Sequence, residues 1–168
     1  AFAAIKITAL GNPALLERVS TSITELRNLF LKFDVDGTGT VSKEEFMRQY
    51  EKYFLSGGAG VDHLFGRMDD DLDDTVDYVE WSNALTIEDL HHMTGLCRVS
   101  GPLAKATLTE EERELLIDMR ARVDRLAELA SQLNVKIMID AEHSYFQPAI
   151  DNIANTLMRK YNRDRTII

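Results

Sequence analysis

The sequence predicts an α/β chain interrupted by an acidic, all-helical insert. Three observations carry that expectation. Residues 26–46 and 61–81 repeat one pattern of apolar helix face, polar loop and second helix. Helix and strand patterns alternate from Thr109 onward, the grammar of parallel strands. The charge is also uneven: residues 34–80 hold 13 acids and 4 bases, which accounts for the whole net charge of −9 of the 168-residue chain. That balance argues against nucleic acid as the main partner. No apolar run approaches the eighteen residues of a membrane-spanning helix. The single Cys97 excludes an internal disulfide and fits a reducing compartment.

The chain opens on Ala1-Phe2-Ala3-Ala4-Ile5-Lys6-Ile7-Thr8-Ala9-Leu10, which reads as a buried strand, with no starting Met and no signal-peptide pattern. It closes on Arg165-Thr166-Ile167-Ile168, the apolar start of another strand. Domains rarely begin and end inside buried strands, so a piece of a longer protein is expected.

The repeat comes next. Leu26, Leu29, Phe30 and Phe33 align with Val61, Leu64, Phe65 and Met68, spaced as one face of a helix. Asp34, Asp36, Thr40, Val41, Glu45 and Phe46 then align with Asp69, Asp71, Thr75, Val76, Glu80 and Trp81. The twelve residues from Asp34 to Glu45 follow the EF-hand calcium pattern. Calcium is a hard cation that takes about six to eight oxygens. The pattern puts Asp34, Asp36 and Thr38 at loop positions 1, 3 and 5, the Thr40 carbonyl at 7, Ser42 (acting through water) at 9 and a bidentate Glu45 at 12. Gly39 stands where the chain turns with positive φ. The second loop fills the same positions with Asp69, Asp71, Asp73, Thr75, Asp77 and Glu80, but places Asp74 where glycine is expected. A left-handed residue costs about 1–2 kcal/mol, against about 8 kcal/mol for a micromolar site. The second site should therefore be weaker rather than lost, and its crowded acids also suit magnesium. Val41 and Val76 should pair in a short bridge between the loops. A metal-free, purely structural role for the second loop stays open.

A helical run to Leu55 and a Ser56-Gly57-Gly58-Ala59-Gly60 connector separate the two hands. Residues 82–108 give no clear pattern, and His91-His92 read as exposed polar residues rather than ligands. Thr109-Glu110-Glu111-Glu112 is a capping box. It starts a long helix with Leu115, Leu116, Met119, Val123, Leu126, Ala130 and Leu133 on its apolar stripe and Asn134 as its stop. Val135–Ile139 read as a strand ending in Asp140-Ala141-Glu142, and Pro148–Tyr161 as a helix with Ile150, Ile153, Leu157 and Tyr161 apolar. Acids at the C-terminal end of a parallel strand are where barrel enzymes keep their chemistry. The alternative, that Asp140 caps the next turn, is open on the pattern alone.

Two stretches carry a resemblance. Phe2-Ala3-Ala4-Ile5-Lys6-Ile7-Thr8-Ala9-Leu10-Gly11 is similar to the lysine-bearing strand of the proline dehydrogenase family. Val135-Lys136-Ile137-Met138-Ile139-Asp140-Ala141-Glu142-His143-Ser144-Tyr145-Phe146-Gln147-Pro148-Ala149-Ile150 resembles that family's most recognisable strand and helix start. The likeness covers roughly residues 1–20 and 100–168, and the middle resembles the EF-hand family. It implies a partial (β/α)8 barrel with an inserted all-α EF-hand pair: residues 1–20 as a barrel strand and helix start, 21–95 as the insert, and 96–168 as a helix-strand-helix-strand segment. It further implies a mitochondrial flavoenzyme on the matrix side of the inner membrane, with peripheral membrane association. Such an enzyme oxidises L-proline to 1-pyrroline-5-carboxylate with FAD and passes electrons to quinone. Lys6 matches the lysine that pairs with the proline carboxylate, and Asp140 the acid beside flavin and substrate. The family's later arginine pair lies outside this chain, and at most three strands are expected, so the chain alone should be inactive. The competing expectation is a calcium sensor or buffer without catalytic activity. Against it, a sensor has no use for strands at Ile5-Lys6-Ile7 or Val135–Asp140.

Overall fold

The computed structural model describes residues 1–55 and 59–168, so most of the expected connector lies outside the described residues. The fold is mixed α/β, mostly helical, with two two-stranded sheets among the described residues. It divides into two compact units, one of residues Ala1–Thr21 with Leu108–Ile168, the other of Ser22–Thr107.

In the first unit, β1 (Phe2–Ile5) pairs in parallel with β4 (Lys136–Ile139), Ile5 opposite Ile139. A 3-10 turn at Ile7–Ala9 follows β1 and leads to α1 (Pro13–Phe33), whose first part belongs here. Pro13 suits the first helical turn, where its missing N–H costs nothing. The long helix α7 (Glu110–Leu133) forms as expected: Thr109 and Glu112 complete a capping box, and Asn134 closes it at φ 54°. Arg18 meets Glu112 at 3.1 Å. Burial alone would raise the Glu112 pKa, but the Thr109 N–H and Arg18 outweigh it and hold the carboxyl low. Helix α8 (Gln147–Tyr161) buries Ala149, Ile150, Ile153 and Leu157. Near its start, the buried Ala149 N–H is shared between Ser20 Oγ and the Phe146 carbonyl, both at 3.1 Å, so this donor of the helix N-terminus is not left open.

Three expectations for this unit need correction. The opening strand is not buried: β1 spans only four residues, Phe2 is 68% exposed, and Ile7 is the buried residue, in the turn beyond the strand. The apolar stripe of α7 runs through Leu116, Met119, Val123, Ala127 and Ala130, whereas Leu115, Leu126 and Leu133 are exposed. At 100° per residue a twenty-four-residue helix drifts off any one line of leucines, and the small Ala127 takes a buried place on the stripe instead. Thr166–Ile168 form no strand. Ile167 is buried and its carbonyl accepts from Ile137 N at 2.6 Å, but Asn162 Oδ1 takes the N–H groups of Ile167 and Ile168, so no ladder develops.

The second unit is helical around an aromatic core. It contains the rest of α1, then β2 (Thr40–Ser42), α2 (Lys43–Tyr53), α3 (Ala59–Met68), β3 (Thr75–Asp77) and α4 (Tyr78–Ala84). The unread stretch 82–108 folds into α5 (Ile87–Thr94), opened by a Thr86–Asp89 capping box, and α6 (Pro102–Ala106). Helix α2 ends before Leu55, at Tyr53, because Phe54 leaves it to bridge Cys97. Phe33, Phe46, Phe65 and Trp81 are buried in one cluster with Val41 and Val76. Rings of Phe33 and Trp81 lie 5.3 Å apart and those of Phe46 and Phe65 5.4 Å, edge-on or tilted as aromatic quadrupoles favour.

Candidate metal centre

Each loop is built by the helices around it. The apolar face of α1 ends in fully buried Phe33, which fixes Asp34 at the loop's entrance; Met68 does the same for Asp69. At the exits, Ser42 and Asp77 cap α2 and α4, accepting from the N–H groups of Glu45 and Glu80. Those caps turn the third residue of each helix, Glu45 and Glu80, toward its loop. Glu45 Oε1 accepts from Val35 N at 3.3 Å, and Glu80 Oε1 from Asp70 N at 3.0 Å. Both terminal glutamates therefore reach back across their loops to equivalent amides.

The first loop closes on itself through oxygens. Asp34 Oδ2 accepts from Gly39 N at 3.1 Å. Asp36 Oδ1 accepts from the Thr38 hydroxyl at 2.9 Å, and the same hydroxyl lies 3.1 Å from the Thr40 carbonyl. The Thr38 hydroxyl and N–H hold the Asp36 pKa below the usual carboxylate value. Asp34 Oδ1 is buried and has no hydrogen-bond partner. A carboxylate oxygen left dry and unpaired is costly, and a cation among these donors would satisfy it. The donor set is all oxygen, which suits a hard cation such as calcium.

In the second loop, carboxylate oxygens of Asp69, Asp71 and Asp73 lie within 4.8 Å of one another, with Asp69 buried. Asp69 accepts from Asp73 N and Asp74 N at 3.1 and 3.2 Å, and Asp73 from the Thr75 hydroxyl and N–H, both at 2.8 Å. Partial desolvation of Asp71, joined by the charges of Asp73, Glu80 and Asp69, raises its pKa above the ordinary value. Like charges held this close are the repulsion that a bound cation would relieve.

The loops meet through an antiparallel ribbon in which β2 pairs with β3, Val41 opposite Val76 as the sequence predicts. Lys43 N also donates to Asp74 O at 3.2 Å. Their backbones differ in chemistry rather than shape. Gly37 and Gly39 sit at φ 71° and 87°; the equivalent residues are Leu72 and Asp74, at φ 63° and 62°. The sequence flagged Asp74 but not Leu72, because position 4 of the loop carries no ligand and its conformation leaves no mark in the motif. Leu72 is 80% exposed, so no packing offsets its strain. Leu72→Gly should stabilise the second loop by about 0.5–1 kcal/mol, the relief of strain less the added chain entropy of glycine. Asp74→Gly should gain less, since Asp tolerates this region. Urea midpoints with and without calcium check both, and a lower midpoint for Leu72→Gly would contradict this account.

The second pair of candidates lies in the other unit. Lys6 directly follows β1 and Asp140 directly follows β4, and Asp140 N donates to Ile5 O at 3.0 Å. The two thus stand side by side at the C-terminal ends of neighbouring parallel strands. Asp140 does not cap α8, whose start has no side-chain cap. Motif reading passed over Glu142 as one member of an acid pair. In the structure it accepts from Thr8 N at 3.2 Å and from Thr8 Oγ1 at 2.6 Å. No local signal links residues so distant in sequence. His91 and His92 are exposed, as expected.

One compact unit of the chain thus holds a pair of acidic helix-loop-helix elements, and the other a parallel two-stranded sheet packed with helices. Residues 25–54 match the family model of the EF-hand domain. Over nearly its whole length the chain is homologous to a segment of proline dehydrogenase 1. It is 31% identical to "Proline dehydrogenase 1, mitochondrial" of Drosophila melanogaster over 98% of this chain and 25% of that protein. The protein of the same name from Caenorhabditis elegans is 33% identical over 98% of this chain and 28% of its own length, and the Homo sapiens one 28% identical over 99% and 30%. The chain therefore spans between a quarter and a third of these relatives. No solved structure matches it at a significant level.

Proposed function

We propose that this chain is part of an FAD-dependent mitochondrial proline dehydrogenase, with a calcium-binding EF-hand pair inserted into its barrel. The observation that carries the reading is the placement of Lys6 and Asp140 side by side at adjacent parallel strand ends, in a chain homologous to that enzyme. Exposed Phe2 and Met138 on the β1–β4 sheet fit strands meant for a larger (β/α)8 barrel. In this reading residues 1–20 and 96–168 are barrel segments and 21–95 the insert. Calcium is held in one loop by Asp34, Asp36, Thr38, Thr40, Ser42 and Glu45, and in the other by Asp69, Asp71, Asp73, Thr75, Asp77 and Glu80.

The Lys6 ammonium would anchor the carboxylate of L-proline and orient its ring, turning an encounter into an aligned pair. Asp140, a fixed negative charge one strand away, would orient the lysine or the flavin edge. When bound, FAD supplies the hydride acceptor, giving 1-pyrroline-5-carboxylate, and quinone takes the electrons. No helix among the described residues is long and apolar enough to cross a membrane, and peripheral contact with the matrix face of the inner membrane fits this role. A calcium sensor without catalysis is disfavoured by the homology of both strands and not only the hands.

The full-length protein should oxidise L-proline with a quinone acceptor, the isolated chain should not, and Lys6→Met should lower kcat/KM by about 100-fold or more, roughly 2.7 kcal/mol. Turnover by the isolated chain, or an unaffected Lys6→Met, would refute the proposal.

A further inference from the structure

We infer that Glu142 and Thr8 form a positioning clamp that sets the direction of Lys6; the inference rests on the catalytic reading of Lys6 given above. Lys6 is pinned on both sides. On its N-terminal side, the last rung of the sheet joins Ile5 O to Asp140 N at 3.0 Å. On its C-terminal side, the 3-10 turn begins at Lys6 itself, whose carbonyl accepts from Ala9 N at 3.1 Å. Thr8, in the middle of that turn, gives both its N–H and its hydroxyl to the two oxygens of Glu142, at 3.2 and 2.6 Å. A hydroxyl-to-carboxylate bond that short is charge-assisted and among the stronger kinds.

Glu142 is itself held. Its N–H donates to Gln147 Oε1 at 3.2 Å, and Gln147 Nε2 donates to Asp151 Oδ1 at 2.7 Å, so the clamp is rooted in the first turns of α8. The result ties the turn after β1 to the segment after β4, close to where Lys6 and Asp140 stand. A lysine is a point charge on a flexible stem, and it places a carboxylate well only if its backbone direction is fixed. Glu142 touches neither the proposed substrate nor the flavin in this account, so it is a positioning residue.

The test uses the full-length protein. Thr8→Val keeps the shape and the N–H but removes the hydroxyl; Glu142→Gln removes the charge; Thr8→Ser restores the hydroxyl. Thr8→Val and Glu142→Gln should each raise KM for L-proline about tenfold with kcat within about twofold, since carboxylate anchoring is lost and chemistry is not. Thr8→Ser should stay within about twofold of the unmodified protein, and the double variant should be no worse than the worse single one, as for two ends of one contact. Amide exchange at Thr8 should speed up in Glu142→Gln, a readout independent of turnover. If Lys6→Met abolishes activity while Thr8→Val and Glu142→Gln leave KM unchanged, the clamp's role is refuted and the catalytic reading survives. If Lys6→Met leaves activity intact, or the unmodified protein does not oxidise proline, the catalytic reading fails and takes this role with it. Unchanged exchange at Thr8 refutes the clamp itself.

Discussion

Glu45→Gln should remove one of two calcium-binding events when the chain is titrated calorimetrically, weakening the first loop by about 100-fold or more. The second event should remain, and Glu80→Gln should give the converse. The size follows from what Glu45 does. It stands at the last position of the loop and is the third residue of helix α2, oriented by the Ser42 cap and reaching to Val35 N. Losses of outer-shell partners alone cost metal sites about 10–100-fold, and a direct bidentate ligand should cost at least the upper end. Without calcium the substitution should be mild, because Gln keeps an acceptor for Val35 N. The first loop should also bind more tightly than the second, whose Leu72 and Asp74 both occupy left-handed backbone. Unchanged stoichiometry in Glu80→Gln would show that the second loop takes no ion.

The largest stability loss should come from Trp81→Ala, about 3–5 kcal/mol in urea denaturation. Trp81 is 1% exposed and packs edge-on against Phe30 and Phe33, with ring centroids 5.5 and 5.3 Å away. Its indole N–H donates to Leu26 O at 3.1 Å, tying α4 to the second-unit part of α1. Removing it leaves a cavity among rigid aromatic walls that cannot collapse. Trp81→Phe should cost far less, about 1 kcal/mol for the lost hydrogen bond plus a repacking penalty. Equal losses for the two variants would mean that the hydrogen bond, and not the ring, holds this core. The position is the counterpart of Phe46 in the repeat, so the same experiment at Phe46 probes the symmetry of the pair.

Local chemistry was legible in the sequence. Thr109 and Glu112 announced a helix start, Asn134 its left-handed end, and the spacing of oxygens from Asp34 to Glu45 a loop. Each depends on residues a few positions apart, and the backbone obeys them at short range. What depended on distant partners was not legible. Phe2 looked like a buried strand residue because its composition is apolar, yet burial depends on what covers a strand. Leu115, Leu126 and Leu133 looked like core because leucine is, but the face of α7 is chosen by the elements packed against it. The α5 start at Thr86 and Asp89 was a readable capping box, missed because Asp stands where Glu or Gln is the familiar partner. The candidate sites divide in the same way. The loop ligands come from one short stretch each, whereas the contact between Thr8 and Glu142 exists only once β1 and β4 have paired.

The ribbon joining Val41 to Val76 has a further consequence. Because three residues of each loop share one ladder, an ion that stiffens either turn also straightens its neighbour's backbone. The second ion then meets a partner already ordered, and so binds with less entropy to lose. Occupancy should therefore rise more steeply with calcium concentration than it would for two isolated loops, while the tighter first loop still fills ahead of the second.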